Sequence, residues 1–412
     1  MAKSISEKGK GTKTTCLDDK ELSDVRKKRC KPCYHKSRRG KKHRILMLVG
    51  YSSGPSGVWQ RCKDEAIEFV KQGHKVEIHS SDGVKGKPKE RAPIVERLTP
   101  DIRILRFPYR KLGGESYMSW DSKIESLHYK PTIILAHSYR HTHSDKALKF
   151  AKKLGCKSIC VTHAPFVKGK NRGFFSRIVV AIKDHFSNID KFDKIIAVSK
   201  WEVPIIKELG TGVWPQKIKR IPNPVPDRYF EDSILSGKGI LYLGRYHPIK
   251  DLNTLVKGVG KSKSFNEVDF VGSGDVTKLN EIQETIRKSG VKVNWGEPVY
   301  DIEAKIKILD DHEIFILSSK REAMPIALVE AMARGKIVIA SRTDGARELI
   351  KNGYNGFLFD IGDDKQLGEI LDSISLMSED FKQTIREAAK TSVNERKMSE
   401  VMKRWKTVLA KI

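Results

Sequence analysis

Two glutamates eight positions apart, Glu322 and Glu330, lie in residues 318–341, SSKREAMPIALVEAMARGKIVIAS. A strand is expected to end near Ser318, Pro325 falls where a first helical turn tolerates it, and Gly335 is placed to stop the helix after Arg334. Glu322 then sits in the loop entering the helix, with Glu330 about two turns further on. Carboxylates so placed can accept hydrogen bonds from sugar hydroxyls, while free N–H groups at the helix start favour an anion. By spacing alone a plainer reading also fits, with Glu322 offsetting the helix dipole and Glu330 on the surface. Arg245 and Lys250 follow another apolar run, 239–244 (GILYLG). A planar fork and a point charge suit a diphosphate, although in a chain with 79 Lys and Arg two solvated bases would read the same way. After the run 267–272, Gly272-Ser273-Gly274-Asp275 permits close backbone approach. It lacks the third glycine of a dinucleotide fingerprint and serves equally as a turn.

Other groups invite metal or lipid chemistry. His137, His141 and His143 lie close in sequence, but the stretch enters a helix and has no neighbouring cysteine or paired acids, so a metal site is not expected. His163, before Ala164-Pro165, reads as a histidine satisfied by hydrogen bonds. Near the N-terminus, Cys30-Lys31-Pro32-Cys33 forms a Cys-x2-Cys pair, with Cys16 upstream and Asp19 where a second pair would place a cysteine. The four resemble a degenerate zinc ribbon with His35 as another candidate ligand, and an unstructured basic tail fits as well. The stretch 168–183 (KGKNRGFFSRIVVAIK) suits either acidic lipids or a core-facing helix with a basic outer side.

These residues need elements to hold them. Apolar runs at 44–50, 75–79, 103–107, 132–137, 158–163 and 194–199 alternate with helical patterns, and a Gly-rich turn at Gly54 and Gly57 separates the first strand from its helix, 58–71. The Pro-rich loop 221–226 ends this series. Strands then recur at 239–244, 267–272, 291–296, 313–318 and 336–341, and 380–412 reads as wholly helical. Alternation of this kind implies two doubly wound parallel sheets with helices on their faces, whose strand ends would look on a common cleft. The chain has 412 residues and a net charge of +28, of which +11 falls in residues 1–44. That concentration favours polyanions or acidic membrane surfaces. No apolar run approaches a membrane span or a signal-peptide core, and six cysteines do not suggest a disulfide framework. The expectation is a cytoplasmic protein, open to membrane association on the cytoplasmic face.

The block from Glu322 through Glu330, Ala331, Met332, Ala333 and Gly335, with Asp344, Gly345, Glu348, Leu349, Asn355 and Gly356 downstream, resembles the Glu-x7-Glu motif of family-four retaining glycosyltransferases. The resemblance implies the GT-B fold over nearly everything from Arg44 onward. Behind the basic tail or zinc module at 1–43, it implies an acceptor domain at 44–222, a nucleotide-sugar domain at 223–390, and a helix at 391–412 packing back on the first domain. Carried over, Arg245 and Lys250 would neutralise the donor diphosphate. Glu322 would hold the sugar, with the N–H groups of Ala323 and Met324 nearby, and Glu330 would bind the ribose. Gly54, Gly57 and Gly272 would line the nucleotide-sugar site, and His137 would stand near the reacting sugar. No metal or other cofactor is implied for catalysis. The donor would be a UDP- or GDP-sugar and the acceptor a glycan, lipid or protein glycan. Asn223-Pro224 stands where the family usually has Asn-Gly.

Two other functions compete. A nucleic-acid-binding protein could use the basic tail over a degenerate core, but the tail holds only Tyr34 for base stacking. A nucleotide-sugar epimerase would share the architecture and fits the glutamate block less well.

Overall fold

The computed structural model describes residues 41–111, 118–122, 129–163, 184, 187–232, 237–274 and 280–412. Cys16, Asp19, Cys30, Cys33, His35 and the stretch 168–183 lie outside them. The first half contains strands Arg44–Tyr51 (β1), Lys75–Ser81 (β2), Gly83–Val84 (β3), Lys87–Arg91 (β4), Val95–Thr99 (β5), Ile102–Phe107 (β6), Tyr109–Lys111 (β7) and Met118–Trp120 (β8). Ile133–His137 (β9), Lys157–Val161 (β10), Lys194–Ala197 (β11) and Ile218–Arg220 (β12) complete it, with helices Gly57–Lys71 (α1), Thr142–Leu154 (α2) and Glu202–Lys207 (α3). The second half contains Ile240–Leu243 (β13), Glu267–Val271 (β14), Lys292–Gly296 (β15), Ile314–Leu317 (β16), Ile337–Ser341 (β17) and Phe357–Phe359 (β18). Its helices are Leu252–Lys261 (α4), Asn280–Ser289 (α5), Ile302–Asp310 (α6), Ile326–Ala333 (α7), Asp344–Leu349 (α8), Asp364–Ser375 (α9), Glu379–Ser392 (α10) and Met398–Leu409 (α11).

The strands form two Rossmann-like sheets, ordered β12-β11-β10-β9-β1-β2-β6-β5 and β15-β14-β13-β16-β17-β18. Within these two sheets all pairs are parallel except the antiparallel edge β5–β6, and β3–β4 and β7–β8 form separate two-stranded antiparallel sheets. A parallel sheet must be covered on both faces, and β1 shows how. Ile45, Met47 and Val49 meet Cys62, Ala66 and Phe69 of α1, while Leu46 and Leu48 meet Ala147 and Ala151 of α2 on the other side. The last helix crosses back to this sheet, where fully buried Trp405 packs edge-on against Phe69 at 5.4 Å.

The structure adds to or differs from the sequence reading in three places. The edge strand β5 and hairpins β3–β4 and β7–β8 went unread because they are short and mostly polar. Segment 380–412 is helical, divided into α10 and α11 by a 3-10 turn, Asn394–Arg396, that the sequence did not announce. The linker residue Val225 donates its N–H to the Arg396 carbonyl (2.8 Å) and accepts from Met398 N–H (3.0 Å), taking backbone groups a continuous helix would need. Pro325 caps α7 in an extended conformation, φ −78° and ψ 102°, instead of lying inside its first turn.

Candidate functional site

Arg245 follows β13, and Lys250 ends a 3-10 turn, Pro248–Lys250, on the same strand-end loop. The Tyr242 hydroxyl donates to the Arg245 carbonyl at 2.8 Å, which fixes the backbone there. The Arg245 side chain is exposed and makes no ion pair among the described residues. Lys250 has turned inward: its Nζ lies 2.5 Å from Glu322 Oε1, with the two side chains 19% and 13% exposed. Ser319 Oγ donates to the same carboxylate oxygen at 2.7 Å, and Ser318 Oγ donates to the Lys250 carbonyl at 2.8 Å. The loops after β13 and β16 are therefore stitched together around Glu322.

Beyond Glu322 the chain passes Ala323 and Met324 into α7, and their N–H groups donate to no described residue. A Cβ on Gly345 would fall 2.8 Å from the Ala323 carbonyl oxygen, so glycine is required for α8 to start against this segment. Glu330, one turn into α7, is buried beside Tyr229, and Lys305 Nζ stands 3.9 Å away. Burial pushes its carboxyl up, and Lys305 draws it back.

The glycines divide by role. A Cβ on Gly272 would lie 1.8 Å from the Gly244 carbonyl oxygen, so the first glycine of Gly-x-Gly lets two strand-end loops touch. Gly54 (φ +80°) is held against the β3–β4 turn, where a Cβ would meet Lys85 O at 2.4 Å. Gly57 opens α1, and its Cβ direction is bounded only by Ile326 of α7 at 4.0 Å. Ala323 also packs against the first sheet's apolar cluster, so the start of α1 and the start of α7 lie close.

On the first sheet, His137 at the end of β9 is fully buried. Its Nδ1 is 2.9 Å from His163 Nε2, and its Nε2 is 4.0 Å from Glu65 Oε2. The resemblance puts His137 near the reacting sugar; of the two rings His163 is the partly exposed one, with a left-handed φ of +57°. Burial holds the pKa of both rings well below the ordinary histidine value, which favours their neutral forms. His143 is also buried, 2.5 Å from the His137 carbonyl oxygen and stacked on Trp120, and desolvation lowers it to about 3. No cluster of three or more metal-ligating side chains occurs among the described residues.

Several residues of this region escaped the sequence reading. Glu65 Oε1 accepts from Arg61 Nε (2.9 Å) and Trp405 Nε1 (2.8 Å), and Arg61 also donates to Asn223 Oδ1 (2.7 Å) and the Ile221 carbonyl (3.2 Å). The departure at Asn223-Pro224 thus lies in a linker held by a buried guanidinium. Glu348 accepts from Lys200 N–H (2.7 Å) and Arg220 (3.1 Å), with Arg396 at 3.4 Å, joining the two sheets' loops. One signal was available: Arg61 and Glu65 fall on the same helical stripe as Val58, Cys62, Ala66 and Phe69, a charged pair on a core-facing side.

Residues 55–229 match the family described as Glycosyltransferase Family 4, and residues 231–391 match Glycosyl transferases group 1. A curated relative from Campylobacter jejuni, GalNAc-alpha-(1->4)-GalNAc-alpha-(1->3)-diNAcBac-PP-undecaprenol alpha-1,4-N-acetyl-D-galactosaminyltransferase, is 22% identical over 303 residues, 69% of this chain and 79% of the relative. The Escherichia coli UDP-Gal:alpha-D-GlcNAc-diphosphoundecaprenol alpha-1,3-galactosyltransferase is 29% identical over 180 residues, 38% of this chain and 44% of the relative. Among solved structures, a glycosyltransferase from Rickettsia africae superposes with a TM-score of 0.69 at 21% identity, covering 90% of this chain and 98% of that one. Anabaena HepE in complex with UDP and glucose superposes with a TM-score of 0.66 at 16% identity, covering 90% and 100%. The shared fold is GT-B.

Proposed function

Since the chain belongs to the glycosyltransferases of the GT-B fold, matched in both halves, we propose that it moves a sugar from a nucleoside-diphosphate donor to a lipid-linked glycan with retention at the anomeric carbon. The observation that carries this reading is the Lys250–Glu322 pair, set between two strand-end loops beside the exposed Arg245 and the free N–H groups of Ala323 and Met324. A donor diphosphate would draw Lys250 off Glu322 and bind Arg245, freeing the carboxylate for the sugar's hydroxyls. The anomeric C–O bond to the phosphate then breaks, its electron pair remaining on the phosphate oxygen that the two cations stabilise. The acceptor oxygen forms the new bond, and its proton passes to that phosphate. Glu330 would take the ribose, and His163, backed by His137, would meet the reacting sugar.

A UDP-sugar donor is favoured by the UDP in HepE, and a lipid-diphosphate acceptor by the undecaprenol-linked substrates in the two curated relatives' names. No helix among the described residues is long and apolar enough to cross a membrane. A thermal-shift panel of UDP-, GDP- and ADP-sugars on wild type and Arg245→Ala tests the donor site. A ligand at a hundred times its Kd should stabilise the wild type by about 2.7 kcal/mol, and the variant much less. No shift with any nucleotide sugar, from folded protein, would favour a degenerate core serving the basic tail.

A further inference from the structure

Glu65, His137 and His163 line up as a buried chain of titratable groups. Burial pushes the Glu65 carboxyl up, while Arg61, an always-charged partner whose side chain is as buried as its own at 1% and 0% exposed, and the Trp405 N–H favour its ionised form. Its Oε1 is taken by Arg61 and Trp405, while Oε2 has no hydrogen-bond partner among the described residues. Across 4.0 Å it faces His137 Nε2, which likewise has none. A neutral imidazole carries one N–H, and a lone pair turned toward a buried carboxylate would be repelled. The proton of His137 therefore belongs on Nε2. Its Nδ1 is then an acceptor, so His163 Nε2, 2.9 Å away, must donate. That leaves His163 Nδ1 without a proton.

We propose that Glu65 is a positioning residue that fixes the tautomers of His137 and His163, leaving His163 Nδ1 as a hydrogen-bond acceptor for a substrate hydroxyl. The second half of this rests on the glycosyltransfer reading; the tautomer order does not. The carboxylate is fixed by two donors, Arg61, itself anchored to the linker at Asn223 and Ile221, and Trp405 from the last helix. His143 binds the His137 carbonyl rather than its ring, so it does not compete for either ring nitrogen. Arg61, which also acts on both rings electrostatically, adds positive charge that opposes their protonation.

Long-range 1H–15N spectra of the full chain labelled at histidine, with His137→Gln and His163→Gln for assignment, read the tautomers directly. Both rings should carry their proton on Nε2. In Glu65→Gln, whose amide offers a donor as well as an acceptor, the two rings should change together. A wild-type proton on His137 Nδ1, or tautomers unchanged in folded Glu65→Gln, overturns the proposal. Glu65→Asp keeps the charge and should keep the wild-type pattern, and Trp405→Phe leaves Oε2 in place and should do the same. For turnover, Glu65→Gln should lower kcat about tenfold or more with donor KM within about threefold. Unchanged kcat with altered tautomers refutes the substrate role. A wild type that consumes no nucleotide sugar defeats the glycosyltransfer reading, and the tautomer order is still decided by the spectrum.

Discussion

Replacing Lys250 by Met separates donor recognition from simple stability. In the structure Lys250 Nζ and Glu322 Oε1 are 2.5 Å apart, and both side chains are mostly shielded from water. Methionine leaves Glu322 with the Ser319 hydroxyl alone, a loss of about 1–3 kcal/mol for a shielded charged hydrogen bond. A charge-assisted bond to phosphate lies in a similar range, about 1.5–3 kcal/mol. The donor has to displace an existing ion pair to obtain it, so the net loss falls at the lower end, a Kd about ten- to thirtyfold weaker. Isothermal titration with the nucleotide sugar that stabilises the wild type measures this. A urea-denaturation cycle of Lys250→Met, Glu322→Gln and the double variant should give a coupling of about 1–2 kcal/mol. A donor affinity within threefold of wild type would refute the diphosphate role, and additivity within about 0.5 kcal/mol would refute the ion pair.

Other substitutions probe the neighbouring groups. Arg245→Ala removes an exposed cation with no ion pair among the described residues, and should leave stability within about 0.5 kcal/mol in urea while weakening donor binding. Glu348→Ala strips a partner from Arg396, which is 2% exposed, and should lower stability by about 3 kcal/mol; a melting temperature equal to wild type would exclude this role. Burial pushes Glu202 up to about 7, even though it accepts bonds from Thr162 and Ser199. Because its folded pKa exceeds the unfolded 4.5, the unfolded chain ionises first. Rising pH between those values then costs about 3 kcal/mol of stability. Glu202→Gln should flatten that slope in urea midpoints taken at pH 4 and pH 8, and an unaltered slope would reject the assignment. Deleting residues 1–42 should leave the donor-induced thermal shift intact, whereas its loss would place the tail in the site.

The architecture was legible because the buried strands announce themselves as apolar runs. RILMLVG and GILYLG read as strands at once, since sheets covered on both faces need apolar residues at every position. The edge β5, VERLT, faces water and carries no such signal. Lys250 and Glu322 were found by type and position after strands, but their mutual contact spans 72 residues and no local pattern encodes it. The same holds for Trp405 and Glu65, 340 residues apart. His137 was singled out through the family resemblance, while its pairing with His163 and the burial of its ring come from the packing around β9, which no local pattern encodes.

Product stereochemistry tests the central claim most directly. The full chain would be incubated with the stabilising α-linked UDP- or GDP-sugar and a polyprenyl-diphosphate-linked N-acetylhexosamine, and the anomeric proton of the product read by NMR. The account predicts one added sugar in the α configuration, with formation suppressed in Lys250→Met. A β-linked product, or a donor altered without any transfer to the acceptor, would contradict it.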